Sequence, residues 1–320
     1  MNHDKNGSFH GVEVISPEIN RNGMLAKIRS YQDYKQVCQD YSKKNKSDLV
    51  LCATSAFYLA RKIANQHKVK LGLFVRAYEN FSMFLDKKQR LKNIIKSVYS
   101  DSNYVGENKL ADFFIYNSLF MKDKLSPFAY AASAHVIYPP LNIIKKNKKV
   151  GKIRKVHMVG MSYDKGFSTF SELSQYFPEI DFVAFGKSSK YSKATRLGSN
   201  LYYGGWCSVD ELFNPADVFL VPSTWEEPFG RVAIEALSNG CIVVVSNKGG
   251  LPETVDNNVQ LIVDSDSAVA WKDKLHDIID NAEYYSFLCR EMSGLVEKYS
   301  VERQLDKLES IVKENVISHG

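Results

Sequence analysis

The stretch from residue 221 to 255, VPSTWEEPFGRVAIEALSNGCIVVVSNKGGLPETV, constrains the fold more than any other part of the chain. It reads as strand end, loop, helix, strand, loop and helix start. Pro228 suits a first helical turn, where a missing N–H costs nothing. Val232, Ala233, Ala236 and Leu237 form an apolar stripe at helical spacing, and Gly240 is placed as a C-terminal cap. CIVVVS is short, β-branched and almost wholly apolar, the composition of a buried parallel strand. Gly249 and Gly250 then precede LPETV, the start of another helix. Two consecutive strand-loop-helix units aim helix N-termini and flexible backbone at one edge of a sheet. In open α/β folds that edge binds ligands, and phosphate is the ligand that helix N-termini favour. Glu227 and Glu235 bracket the first loop-to-helix junction, with seven residues between them.

EPFGRVAIEA resembles the signature of the retaining glycosyltransferases of family four, which adopt the GT-B fold. Pro222–Ser223 before it and the GGLPE of 249–253 after it extend the match. The resemblance implies an α/β chain of two Rossmann-like, doubly wound domains facing a cleft. It also implies roles. Glu227 meets the donor sugar and Glu235 holds the ribose of the nucleotide; the backbone of Phe229, Gly230 and Arg231 approaches the sugar and the diphosphate. A carboxylate's two acceptor oxygens suit two ribose hydroxyls.

The rest of the second half follows the same rhythm. Strands are expected at 156–160, 181–185, 201–203, 217–221 and 260–263. Helices are expected at 167–177, 210–214, 268–280 and 282–298. Lys165 and Gly166 sit at the first strand-to-helix junction. A lysine there offers a point charge, and a glycine offers close backbone approach, both suited to phosphate. In the family this lysine stabilises the departing diphosphate, beside an arginine that follows the strand glycine. Here that arginine position is Met161, so Arg231, Arg76 or Lys187 is left to compensate. Gly204, Gly205 and Trp206 occupy the loop that meets the nucleotide base in the family; Trp206 either stacks on the base or packs between helices. Asp264-Ser265-Asp266 imitates a metal motif, but Asp266 or Ser267 makes a good N-cap for the following helix. The histidines lack ligand spacing, so no metal and no cofactor are expected. Residues 301–315 read as an amphipathic helix burying Leu305, Leu308, Ile311 and Val312. The family's counterpart crosses back onto the first domain.

The first half reads as strands at 11–17, 48–53, 69–75, 111–117 and 134–138, alternating with helices at 30–43, 57–67 and 82–98. Ser118 opens a further helix. This alternation predicts a parallel sheet. DFFIYNSLFMKDKL and VIYPPLN resemble the acceptor-side domain of family four. The family's opening strand and glycine-rich loop have no counterpart here, so the domain is expected to be abbreviated or incomplete. Where the family often has a histidine after the strand ending at Val75, this chain has Arg76. It is either a cation for the reaction centre or an ordinary solvated arginine. The expected organisation is a domain at 1–143 with a helix at 303–320 crossing back, and a nucleotide-sugar-binding domain at 144–302. Lys165, Glu227 and Arg76 are the candidate catalytic residues. Gly166, Gly205, Trp206, Phe229, Gly230, Arg231 and Glu235 are the candidate donor-binding residues.

Composition bounds the remaining classes. With 320 residues and 44% hydrophobic content, the chain can bury two ordinary cores. A formal charge of +6 fits an anionic small ligand or an anionic membrane surface. The basic helical run at 87–96 reads as a solvated face or as a lipid-docking one. It lacks the aromatic interleaving of a nucleic-acid site, so nucleic acid is not an expected partner. Five scattered cysteines without paired spacing suit a reducing cytoplasm, with Cys52 and Cys241 buried as small hydrophobes. No secretory signal or membrane-spanning run is visible, so the expected location is cytoplasmic, or peripheral on the inner face of the membrane. The expected partners are a nucleotide-sugar donor and a saccharide or lipid-linked acceptor. The resemblance points to surface polysaccharide or glycolipid assembly. Two alternatives stay open: a degenerate, non-catalytic nucleotide-sugar-binding subunit, and another GT-B enzyme such as a nucleotide-sugar epimerase or a phosphorylase.

Overall fold

The structure is a computed structural model that describes residues 7–9, 12–14, 24–77, 111–126, 133–143, 146, 148–188, 190–264 and 266–317. The helix expected at 82–98, with its basic run, lies outside the described residues. The chain divides into two compact units. One comprises Met1–Tyr116, Lys122–Val136 and Glu309–Gly320; the other comprises Asn117–Met121 and Ile137–Leu308.

The first unit holds a short antiparallel pair, β1 (Gly7–Phe9) and β2 (Val12–Val14), and then α1 (Met24–Lys44). β3 (Val50–Ala53), α2 (Phe57–His67), β4 (Leu71–Val75) and β5 (Phe113–Tyr116) follow. α3 (Leu119–Leu125) begins among residues grouped with the second unit, and β6 (Ser133–Val136) closes the sheet. The four strands β3-β4-β5-β6 are all parallel and run in chain order, so among the described residues this sheet does not reverse. All four residues of β5 are buried, as expected of a strand covered on both faces. α2 buries Phe57, Leu59, Ala60 and Ala64 and ends at Lys68, whose N–H closes onto the carbonyl of Ala64. Cys52 is buried here and Cys241 in the second unit, as their apolar surroundings predict.

The second unit is built on β7 (Lys155–Val159), α4 (Phe167–Tyr176), β8 (Asp181–Phe185), β9 (Thr195–Arg196) and β10 (Leu201–Gly205). After α5 (Val209–Phe213) come β11 (Val218–Val221), α6 (Arg231–Ser238), β12 (Ile242–Ser246), α7 (Leu251–Thr254) and β13 (Ile262–Val263). α8 (Ala268–Asp280), α9 (Ala282–Ser293) and the part of α10 (Val301–Ile317) up to Leu308 complete it; the rest of α10, from Glu309, belongs to the first unit. The strand order is β13-β12-β11-β7-β8-β10-β9. β7 pairs in parallel with β8 on one side and with β11 on the other, so the winding direction reverses at β7. β9 is a short antiparallel addition to β10 that its two residues gave no period to reveal.

Three local expectations are corrected. Pro228 lies in the loop, and α6 begins three residues later at Arg231, after Gly230. The helix expected to reach 298 stops at Ser293 and is followed by a 3-10 segment, Leu295–Tyr299. In α10, Leu305 is 57% exposed, while Gln304, Ile311 and Asn315 are buried. Gln304 accepts a hydrogen bond from the Tyr138 N–H at 2.8 Å and donates to the Lys298 carbonyl. That anchored amide turns the helix away from the stripe that apolarity alone selected.

His157 on β7 is 1% exposed, packs its ring 5.0 Å from that of Phe185, and bonds through Nδ1 to the Leu212 carbonyl at 2.7 Å. A carbonyl only accepts, so Nδ1 carries the proton. Burial pushes the imidazole down to about 4. Its folded value lies below its unfolded one, so the unfolded chain takes up the proton first as pH falls. Stability from this group is complete above about 6.5 and is lost progressively down to about 4. Moving from pH 7 to pH 5 is expected to cost about 2 kcal/mol through this residue. Urea denaturation of the wild type and of His157→Gln at both pH values checks it: the variant should lack that increment.

Candidate functional site

The reversal at β7 places two loops side by side at the C-terminal ends of β7 and β11, the switch point where open α/β sheets bind ligands. The first loop runs from Gly160 through a 3-10 turn, Tyr163–Lys165, to Gly166. The second runs from Pro222 to Gly230. Backbone bonds join them: the Thr224 N–H donates to the Asp164 carbonyl at 3.0 Å, and the Thr224 hydroxyl to that of Tyr163 at 3.3 Å. Gly166 has φ +78°, and a side chain there would overlap the carbonyl of Pro222. The loop after β12 joins the same cluster, since the Gly250 N–H donates to the Glu227 carbonyl at 2.7 Å.

At the centre stands an ion pair, Lys165 Nζ to Glu227 Oε1 at 2.9 Å. Glu227 is 7% exposed. The Ser223 hydroxyl donates to the same carboxylate oxygen, and the Ser246 hydroxyl donates to the Ser223 carbonyl at 2.8 Å. The lysine ammonium also lies 5.6 Å from the Trp225 ring centroid. A buried carboxylate is thus held by a lysine and a hydroxyl, while the lysine stays accessible to solvent. Ser223 and Trp225 carry no periodic signal, and sequence reading gave them no role in fixing these two side chains.

α6 supplies the rest. Its first residue, Arg231, lies 3.3 Å from Glu235 one turn on. Burial raises the Glu235 carboxyl above the ordinary glutamate value, with Arg231 opposing the shift. Phe229 is buried, its ring stacked 5.2 Å from Tyr138 and edge-on to Tyr299 at 5.4 Å. Only its backbone is therefore offered to a ligand. Gly240 closes α6 with its N–H on the Leu237 carbonyl, as its placement predicts. Gly204 and Gly205 are the last two residues of β10. Trp206 follows them and is 80% exposed, so it does not pack between helices; Lys187 lies 5.9 Å from its ring centroid.

Lys165, Gly166, Gly205, Trp206, Glu227, Phe229, Gly230, Arg231 and Glu235 all belong to the second unit. Arg76 is exposed directly after β4, in the first unit. Met161 is half-buried in the loop after β7. The Asp264 carboxylate accepts a hydrogen bond from Asn247 at 3.1 Å, Asp266 pairs with Lys248 at 3.1 Å, and the Ser267 hydroxyl caps α8 through the Val269 N–H. That segment therefore serves the fold. Among the described residues, no helix is long and apolar enough to cross a membrane.

Residues 142–289 match the family model of the glycosyl transferases group 1. An uncharacterized 42.6 kDa protein in the cps region of Klebsiella pneumoniae is 32% identical over 174 residues, 51% of this chain and 45% of that protein. The chain therefore spans less than half the length of this curated relative. Sucrose-phosphate synthase from Thermosynechococcus elongatus has a TM-score of 0.71 at 17% identity, covering 100% of this chain and 87% of its own. Anabaena HepE, solved in complex with UDP and glucose, has a TM-score of 0.68 at 16% identity, covering 91% of this chain and 83% of its own. These likenesses establish the fold, which is that of the GT-B enzymes.

Proposed function

We propose that this chain, whose residues 142–289 match the family model of the glycosyl transferases group 1, transfers a sugar from a nucleotide diphosphate donor to a saccharide or lipid-linked acceptor. The observation that carries the reading is the Lys165–Glu227 pair at the switch point. A half-exposed cation at a strand-to-helix junction suits a leaving diphosphate, and a buried, hydrogen-bonded carboxylate beside it suits sugar hydroxyls. The backbone amides opening α6 add partial positive charge to the same place. Glu235 accepts from the ribose, and Trp206 lies open for the base. The transition state of such a transfer develops charge on the departing phosphate. Catalysis is then electrostatic, through Lys165 and the amides of Phe229–Arg231.

Retention of configuration follows from the family resemblance, by front-face departure and attack without a protein nucleophile. The relative from the cps region supports surface polysaccharide or glycolipid assembly as the setting. The UDP complex of the structural neighbour makes UDP-sugars the first donors to try.

Thermal melting against UDP-, GDP-, ADP- and dTDP-sugars tests the proposal. A true donor at a hundred times its Kd stabilises the fold by about 2.7 kcal/mol. Glu235→Ala should abolish that shift. No shift from any donor would overturn the reading. A shift without transfer or donor hydrolysis would favour a non-catalytic binding subunit, the reading that Met161 in place of the family's arginine supports. Conversion of donor alone would favour an epimerase.

A further inference from the structure

Glu253 lies one turn beyond the Gly249–Gly250 loop and has no place in the donor chemistry above, yet its carboxylate is among the most heavily engaged groups in the second unit. It is 9% exposed. One oxygen accepts the Phe120 N–H at 2.6 Å; the other accepts the Leu119 N–H at 2.9 Å and the Tyr138 hydroxyl at 3.2 Å. Its own carbonyl accepts the Tyr299 hydroxyl at 2.8 Å. These partners lead to the donor loop by two routes. Ser118, next to Leu119, is fully buried and donates its hydroxyl to the Pro228 carbonyl. Tyr138 stacks on Phe229, and Tyr299 meets the same ring.

We infer that Glu253 is a positioning residue for the Glu227–Arg231 loop: by fixing the 118–120 backbone and the Tyr138 ring together, it holds Pro228 and Phe229 from two sides. The amides that open α6 and the carboxylate of Glu227 are set by that loop, so their aim depends on a carboxylate that touches no ligand. The geometry requires an acceptor-only group. Two backbone N–H groups and a phenol all donate to it, and a carboxylate provides two oxygens with lone pairs for all three. A glutamine keeps one oxygen and turns an NH₂ toward a donor, which leaves a buried amide without its bond. An aspartate keeps the chemistry and shortens the reach.

The consequence for ligands rests on the donor-site reading; the ordering of the loop does not. Amide hydrogen exchange of the full chain without ligand therefore comes first. Glu253→Gln should speed exchange of the 226–231 amides by at least about tenfold, relative to the 160–166 loop in the same sample. Ser118→Ala and Tyr138→Phe, which each remove one route, should raise it by less. These two carry the test if Glu253→Gln does not fold. In UDP titrations, Glu253→Gln should bind about tenfold more weakly, the factor carried by one such hydrogen bond, and Glu253→Asp should recover part of the loss. Unchanged exchange at 226–231 in all folded variants overturns the inference, even if melting temperatures fall. Failure of the wild type to bind UDP would count against the donor reading and leave the exchange result standing.

Discussion

Lys165→Ala is expected to lower the proposed sugar transfer by 10²–10³-fold, about 3–4 kcal/mol in the barrier, the cost of removing one preorganised group from a developing negative charge. The protein itself should also lose stability, since the pair is exposed on the lysine side but buried on the glutamate side, and the variant leaves that carboxylate without its cation, at a cost of roughly 1–3 kcal/mol. Glu227 keeps the hydroxyl of Ser223. Steady-state transfer and denaturant midpoints measured on the same preparation separate the two quantities. Near-wild-type turnover in the alanine variant, with the fold intact, removes Lys165 from the mechanism. Lys165→Arg is not a neutral control, since a planar fork does not replace a compact ammonium at a crowded junction.

Gly249→Ala should destabilise the protein by roughly 2–5 kcal/mol, combining the cost of an alanine in left-handed backbone with that of overpacking. Gly249 has φ +60°, and a Cβ there would stand 2.6 Å from the Glu227 nitrogen and closer still to its carbonyl oxygen. Neither neighbour is the flexible end of a side chain, so the loop itself has to move. Stability and donor binding should therefore fall together. Gly151→Ala is the control: a Cβ there meets nothing within 4 Å, and the expected change is within about 0.5 kcal/mol. Urea midpoints of the three proteins decide the matter, and a Gly249→Ala protein as stable as wild type would contradict the packing described for Glu227.

Much of this site was legible in the sequence because its parts are local. The run 221–255 set out β12 and α6 through periodicity, Gly240 as a cap and the two glutamates by spacing alone. α2 and α8 coincide with their expected ranges, 57–67 and 268–280, since each carries a clear helical stripe. Pro228 was misplaced because a proline that fits a first turn fits the preceding loop equally well. Leu305 was misplaced because periodicity registers apolar side chains and ignores an anchored amide such as Gln304.

The sequence by itself determined which residue types would gather at the sheet edge: a lysine and a glycine after one strand, a carboxylate before a helix after another, paired glycines after a third. These are properties of short segments, fixed by local backbone preference and side-chain chemistry. Only the tertiary structure decided that β7 lies between β8 and β11. That single reversal brings Lys165 to 2.9 Å from Glu227 across 62 positions of chain (227 minus 165), and the pairing of β12 beside β11 presses Gly249 against the same glutamate. Tertiary packing also gave Glu253 its partners at 118–120 and Tyr138, more than a hundred residues earlier in the chain. Strand order and buried polar pairing depend on how separate segments pack together, and no period or motif within any one of them encodes that.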